Sequence, residues 1–134
     1  MSKRLPKHIT GERVLAALLE ARPARLTTQQ LAATTGLTLS QVRTGLTWIK
    51  DTGAFERMQP LTWRRAGGHG MTDDVDDWIA QERSIVHTLY TRTKRLITGT
   101  AAPHAERRPD DDWIRLFLDQ VNGVRAMLEA VSRL

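Results

Sequence analysis

Two helix-capping signals eleven residues apart leave this chain little freedom between Thr27 and Asp51. In Thr27-Thr28-Gln29-Gln30 the Thr27 hydroxyl can accept from the amide of Gln30. The Gln30 side chain can reach back to the amide of Thr27, so two backbone donors that a helix start leaves unpaired are satisfied at once. Thr38-Leu39-Ser40-Gln41 repeats the arrangement. Between the two stands Gly36, placed to end the first helix in a left-handed conformation that only glycine adopts cheaply. The pattern predicts a short helix over residues 28–35, a tight turn at 36–38, and a longer helix from Leu39 to about Asp51, ended by Gly53.

Helical periodicity extends the reading to both sides. Val14, Leu15, Leu18 and Leu19 recur at helical spacing, which predicts a first helix over residues 10–22 with Thr10 as N-cap and Pro23 closing it. A basic arm, residues 1–9, precedes it and carries Lys3, Arg4 and Lys7. After the third helix, residues 60–65 read as a strand, Ala66-Gly67-Gly68-His69-Gly70 as a flexible turn, and Met71-Thr72 as the start of a return strand. Ala54-Phe55-Glu56-Arg57-Met58 leads into this hairpin and reads as extended.

The stretch over residues 30–49 resembles a bacterial helix-turn-helix. Such motifs place a small residue four positions before the turn glycine, here Ala32 before Gly36. An apolar residue follows the glycine (Leu37), and a branched one comes six positions after it (Val42). Each has a steric reason: the helices cross closely at Ala32, and Leu37 and Val42 fill the wedge between them. With the hairpin behind it, the pattern resembles the winged helix-turn-helix superfamily of transcription regulators, over residues 10–72. The resemblance implies a mainly α fold with a small β-hairpin, double-stranded DNA as partner, and no cofactor.

Charge is divided along the chain in the same sense. Residues 1–71 hold eleven Lys or Arg against four Asp or Glu, +7, whereas residues 72–134 hold nine against eleven, −2. A basic half joined to a slightly acidic one indicates a polyanion-facing module and a second module facing something else. Sixteen Arg against four Lys suggests a GC-rich coding source, bacterial, phage or plasmid.

On the third helix, Leu39, Val42, Leu46 and Ile49 share one side and are expected to pack inward. The opposite side carries Ser40, Arg43, Thr44 and Thr47, with Gln41 and Lys50 at its margins and no carboxylate until Asp51. Short hydroxyls, an amide and two cations suit a helix lying in the major groove, where Gln or Arg pairs with purine edges and Thr methyls meet thymine methyls. The wing over residues 61–72 offers Arg64, Arg65 and His69 to phosphates or a narrowed minor groove, and Arg57 adds a phosphate contact. Trp48, on the helix flank, is expected to pack against the wing.

Residues 73–134 read as two long helices. One starts at Thr72-Asp73-Asp74, carboxylates favouring the positive end of a helix dipole. Its stripe runs through Val75, Trp78, Ile79, Val86, Leu89, Leu96 and Ile97. A loop over residues 100–108 follows. The last helix starts at Pro109-Asp110-Asp111-Asp112, with a stripe of Trp113, Ile114, Phe117, Val121, Val124, Leu128 and Val131 at coiled-coil spacing. Trp78, Ile79, Val86, Leu89, Trp113, Phe117, Val121, Val124, Leu128 and Val131 are therefore expected at a homodimer interface, with the alternative that the two helices fold back as a hairpin and complete a monomeric core. The layout is similar to regulators of the multiple-antibiotic-resistance type, in which helices both precede and follow the winged domain. A small-molecule effector between the halves, with Trp78 or Tyr90 among its walls, stays open.

Catalysis finds no support. The chain lacks cysteine, which excludes disulfides, thiolate zinc sites and cysteine nucleophiles. His8, His69, His87 and His104 share no ligand spacing. The paired carboxylates Asp73-Asp74 and Asp76-Asp77 sit at a helix start, where capping accounts for them. Gly67-Gly68-His69-Gly70 lacks the Lys and Ser or Thr of a phosphate loop. No apolar run approaches the roughly 20 residues of a membrane span, and no signal core follows the basic start, so the expectation is a cytoplasmic protein. The leading reading is a dimeric repressor. A replication or partition protein of a plasmid or phage, binding direct repeats, stays open, as does a winged module that contacts protein and no DNA.

Overall fold

The computed structural model describes residues 4–134. Lys3 of the predicted arm lies outside the described residues. The chain is mainly helical, with one small antiparallel sheet. In order it forms α1 (Lys7–Ala21), α2 (Thr28–Thr35), α3 (Leu39–Trp48), α4 (Ala54–Arg57), β1 (Thr62–Arg64), β2 (Gly68–Gly70), α5 (Val75–Leu96), α6 (Ala102–Arg107) and α7 (Asp112–Ser132). It divides into two compact units, one through Ile79 and one from Ala80.

In the first unit both capping boxes form. Thr27 Oγ1 accepts from the Gln30 amide at 3.1 Å while Gln30 Oε1 accepts from the Thr27 amide at 2.9 Å. Thr38 and Gln41 reproduce the pair at 3.1 and 3.0 Å. Gly36 takes φ 74° and its amide donates to Ala32 O, closing α2. Leu37 and Val42 are buried in one core with Val14, Leu15 and Leu18 of α1, Leu31 of α2, Leu46 and Ile49.

Several boundaries differ from the sequence expectation. α1 begins at Lys7, so the arm is shorter than residues 1–9. Thr10 is not its N-cap: it is buried inside the helix, and its hydroxyl donates to Pro6 O at 3.1 Å. Gly53 does not stop the third helix. α3 passes through one wide turn (Ile49–Gly53) straight into α4, and the helical path ends at Met58, which takes φ 49°. Residues 54–57, expected extended, are thus helical. Leu39 stays exposed because it is the first residue after the cap and projects beyond the core. Trp48 packs against Gly11 of α1 and Gly53, and a Cβ on Gly11 would collide with its ring.

Gly45 carries the other close approach between α1 and α3. A Cβ there would meet Val14 Cγ2 at 2.8 Å and the Thr10 carbonyl oxygen at 3.1 Å. Glycine inside a helix costs about 1 kcal/mol relative to alanine, and here backbone proximity explains it.

The hairpin is pinned from three directions. Its register pairs Thr62 with Gly70, Trp63 with His69 and Arg64 with Gly68. The return strand therefore begins three residues earlier than expected, at Gly68. His69 stands on that strand and not on the turn, with Leu26 bridged to its other edge by two 2.8 Å backbone bonds. At the start of α5, Asp77 is 3% exposed, and it does more than cap. It accepts from Thr62 Oγ1 at 2.6 Å, Thr72 Oγ1 at 2.9 Å and Arg64 Nε at 2.8 Å, and it pairs with Arg25. Arg25 also donates to Gly68 O at 3.1 Å and Thr62 Oγ1 at 3.0 Å. Asp74 takes the capping role, accepting from the Asp76 amide at 3.0 Å.

Burial works to raise the Asp77 carboxyl, but the hydroxyls of Thr62 and Thr72 and the charge of Arg25 outweigh it and hold the group below the usual carboxylate range.

In the second unit, Ile97, Ala101, Ile114 and Val121 form the buried contacts. α7 packs there on α6 and on the wide turn Ile97–Ala101 that follows α5. The expected loop over residues 100–108 is mostly helical, since Ala102-Pro103 places a proline in the first turn of α6, where its missing donor costs nothing. Asp111 caps α7 through the Trp113 amide at 3.0 Å and meets His104 Nε2 at 3.0 Å. Trp113 and Phe117 stack at 5.1 Å.

Two outcomes follow in thermal melts followed by circular dichroism. Gly45→Ala lowers stability by about 1–2 kcal/mol, because overpacking against backbone outweighs the gain in helix propensity. Asp77→Asn is less stable at neutral pH by about 2–3 kcal/mol, since it strips the charge from a buried pair. The native Asp77 carboxyl titrates below its unfolded value of about 3.9, so its stabilisation is complete above that pH and is lost as pH falls through the native value. Wild type should therefore lose more stability than Asp77→Asn on acidification below about pH 4.

Candidate nucleic-acid interface

α3 sets out its polar residues on one side because Val42, Gly45, Leu46 and Ile49 are consumed by the core on the other. Ser40, Arg43, Thr47 and Lys50 are exposed, and Thr44 is half-buried between them. Among the described residues, neither Arg43 nor Lys50 forms an ion pair with a carboxylate. Thr47 Oγ1 donates to Arg43 O at 3.1 Å. Gln41 is half-buried and its side-chain oxygen is committed to the Thr38 cap.

Lys7 reaches this face as well. α1 starts at Lys7, whose side chain lines one shallow groove with Ser40, Arg43, Thr44 and Thr47. Trp48, Asp51 and Thr52 line the same groove. Arg4 is exposed just before α1.

The hairpin residues separate into two kinds. Arg65 is exposed in the turn between β1 and β2, and makes no ion pair among the described residues. Arg64 is half-exposed, but its Nε is held by Asp77, so it is tied into the fold. Arg57 pairs with Glu12 of α1 at 3.1 Å, with both side chains about half exposed. His69 is half-buried, and its Nδ1 is shielded without a protein partner. Burial first, then the charges of Lys50 and Arg25, push its pKa below the ordinary histidine value. At neutral pH it is therefore uncharged and adds no cation to the surface.

Arg25 is the functional-support residue that sequence reasoning missed. It lies in the loop between Pro23 and Leu26, where no periodicity marks it, and its partners are 37 to 52 residues away. Lys7 was legible as a basic residue, but its place beside α3 was not.

The expected dimer residues lie on more than one surface. Val121 is buried inside its own unit, and Val86, Phe117 and Leu128 are half-buried. Trp78 is half-buried too, with Nε1 donating to Thr72 O at 2.9 Å. Ile79, Leu89, Trp113, Val124 and Val131 remain exposed. Among the described residues no group of three or more acidic or His side chains is placed to hold a metal ion, and no helix is long and apolar enough to cross a membrane.

No family model, no curated protein and no solved structure matches the chain.

Proposed function

We propose that the chain is a sequence-specific double-stranded DNA-binding regulator of the winged helix-turn-helix kind. α3 lies in the major groove and the β1–β2 turn lies against the adjacent phosphates or minor groove. The observation that carries this reading is the outward face of α3: Ser40, Arg43, Thr47 and Lys50 are exposed together, and no acidic side chain interrupts them before Asp51.

Each member has a distinct task. Arg43, near the helix start and unpaired with any carboxylate, reads a guanine edge through two parallel hydrogen bonds. Thr44 and Thr47 present methyl groups to thymine. Ser40, Lys7 and Lys50 flank the base-reading strip and bind phosphate oxygens, which fix register without reading sequence. Arg65, unlike Arg64, is free of the fold and contacts the backbone of the duplex. Two copies of such a domain read a palindrome, their α3 helices about 34 Å apart, and simple occupancy of that site makes the protein a repressor.

The test is an affinity measurement on a duplex selected from a random pool and on unselected duplex. Arg43→Ala should weaken the selected site by about 1–3 kcal/mol while the unselected affinity changes less. Arg65→Ala should weaken both alike and reduce the salt slope by about 1. Arg64→Ala is a poorer probe, since it also loosens Asp77. Absence of any mobility shift at low salt would end the DNA reading and favour a protein-contacting module.

A further inference from the structure

α7 turns two apolar surfaces outward from its axis, and only one of them is used within the chain. Ile114 and Val121 face the unit's own core. A second strip, between about 60° and 160° further round at 100° per residue, holds Trp113, Leu116, Val124, Met127, Val131 and Leu134. These are 64, 68, 43, 68, 44 and 84% exposed.

The strip reads nearly the same in both directions. Reversed about the bond between Gly123 and Val124, Trp113 meets Leu134, Leu116 meets Val131, and Gln120 meets Met127. Charge agrees with reversal: residues 110–121 hold four Asp against one Arg, −3, and residues 122–134 hold two Arg against one Glu, +1. An antiparallel pair sets the acidic half of one copy beside the slightly basic half of the other, whereas a parallel pair opposes acidic half with acidic half. Gly123, at the centre of the reversal, is exposed, and a Cβ there would meet nothing within 4 Å. Its own chain gives no reason for a residue that costs about 1 kcal/mol in mid-helix. Close approach of a second helix at the crossing point supplies one.

We propose that two copies of this chain associate through α7, antiparallel, with the two-fold axis passing beside Gly123 and Val124. The seam is Trp113, Leu116, Gln120, Val124, Met127 and Val131, rotated away from the Phe117–Val121–Leu128 line that the chain keeps for itself. The pairing rests on α7 alone and stands or falls apart from the DNA reading.

The chain has no cysteine, so single cysteines introduced into the full chain report the geometry directly. Val124→Cys should be captured as a covalent dimer by a short bifunctional thiol reagent. Trp113→Cys should not, because its copies lie about 30 Å apart along an antiparallel pair at 1.5 Å per residue. Arg125→Cys, on the opposite side of the helix, gives the collisional background. Wild type should sediment at twice the 15.1 kDa chain mass. Met127→Glu, exposed and therefore harmless to the fold, should raise the dimer dissociation constant at least tenfold with unchanged helicity. Capture of both Val124→Cys and Trp113→Cys would show parallel pairing. Capture of neither above background, or a monomeric wild type at tens of micromolar, would likewise overturn the proposal. Weak half-site DNA binding by Met127→Glu would persist in every case if the DNA reading is right, which keeps the two questions separate.

Discussion

A single buried carboxylate holds the first unit's hairpin in place. Asp77 gathers Thr62 from β1, Thr72 from the segment after β2, Arg64 from the hairpin, and Arg25 from the loop before α2. A buried charge is tolerated only when hydrogen bonds and opposite charge replace the water it has lost. Asp77 has both. A two-stranded hairpin of three residues per strand is not stable alone. Here it gains Leu26 as a third bridging partner and an ionic anchor on the first turn of α5. The same anchor means that the hairpin and the beginning of α5 are ordered together.

The α3 surface depends on a different constraint, the close crossing of α1 and α3. Gly45 and Gly11 remove side chains where backbones or the Trp48 ring approach. That crossing commits Val42, Leu46 and Ile49 to the core and leaves Ser40, Arg43, Thr47 and Lys50 in water. An exposed cationic strip free of ion pairs is inexpensive in water and is poised for a polyanion, since no carboxylate has to be displaced before a phosphate can bind. His69 shows the contrary case. Its position on the middle strand of the hairpin, between β1 and Leu26, makes it neutral, so the cations available on this side are Arg65 and Lys50.

Much of this was legible from residue order, for reasons that are local. α2 and its turn follow from Thr27, Gln30, Gly36, Thr38 and Gln41, whose bonds span three or four residues. The amphipathic sides of α1 and α3 follow from their spacing, as does the exposure of Arg43 and Lys50. Errors came where a local signal was overruled by neighbours distant in sequence. Thr10 looked like a cap, yet packing against α3 drew α1 back to Lys7. Gly53 looked like a stop, yet the Trp48 ring lies against it, and the helix passes through a wide turn instead. Asp77 looked like one more first-turn carboxylate among Asp73, Asp74 and Asp76.

Sequence by itself therefore determined where α2 and α3 begin, which faces of α1 and α3 are apolar, and that the basic charge lies in the first half. Tertiary structure alone decided which side chains are spent inside the fold and which are left outside. Arg25 and Arg64 are spent on Asp77, Gln41 on its cap, and Val121 on its own core, while Arg43, Arg65 and the Met127 side of α7 are left over. The reason is physical. Capping and periodicity act over one helical turn, whereas the pairing of a buried charge is settled by contacts tens of residues apart, which a linear reading does not contain.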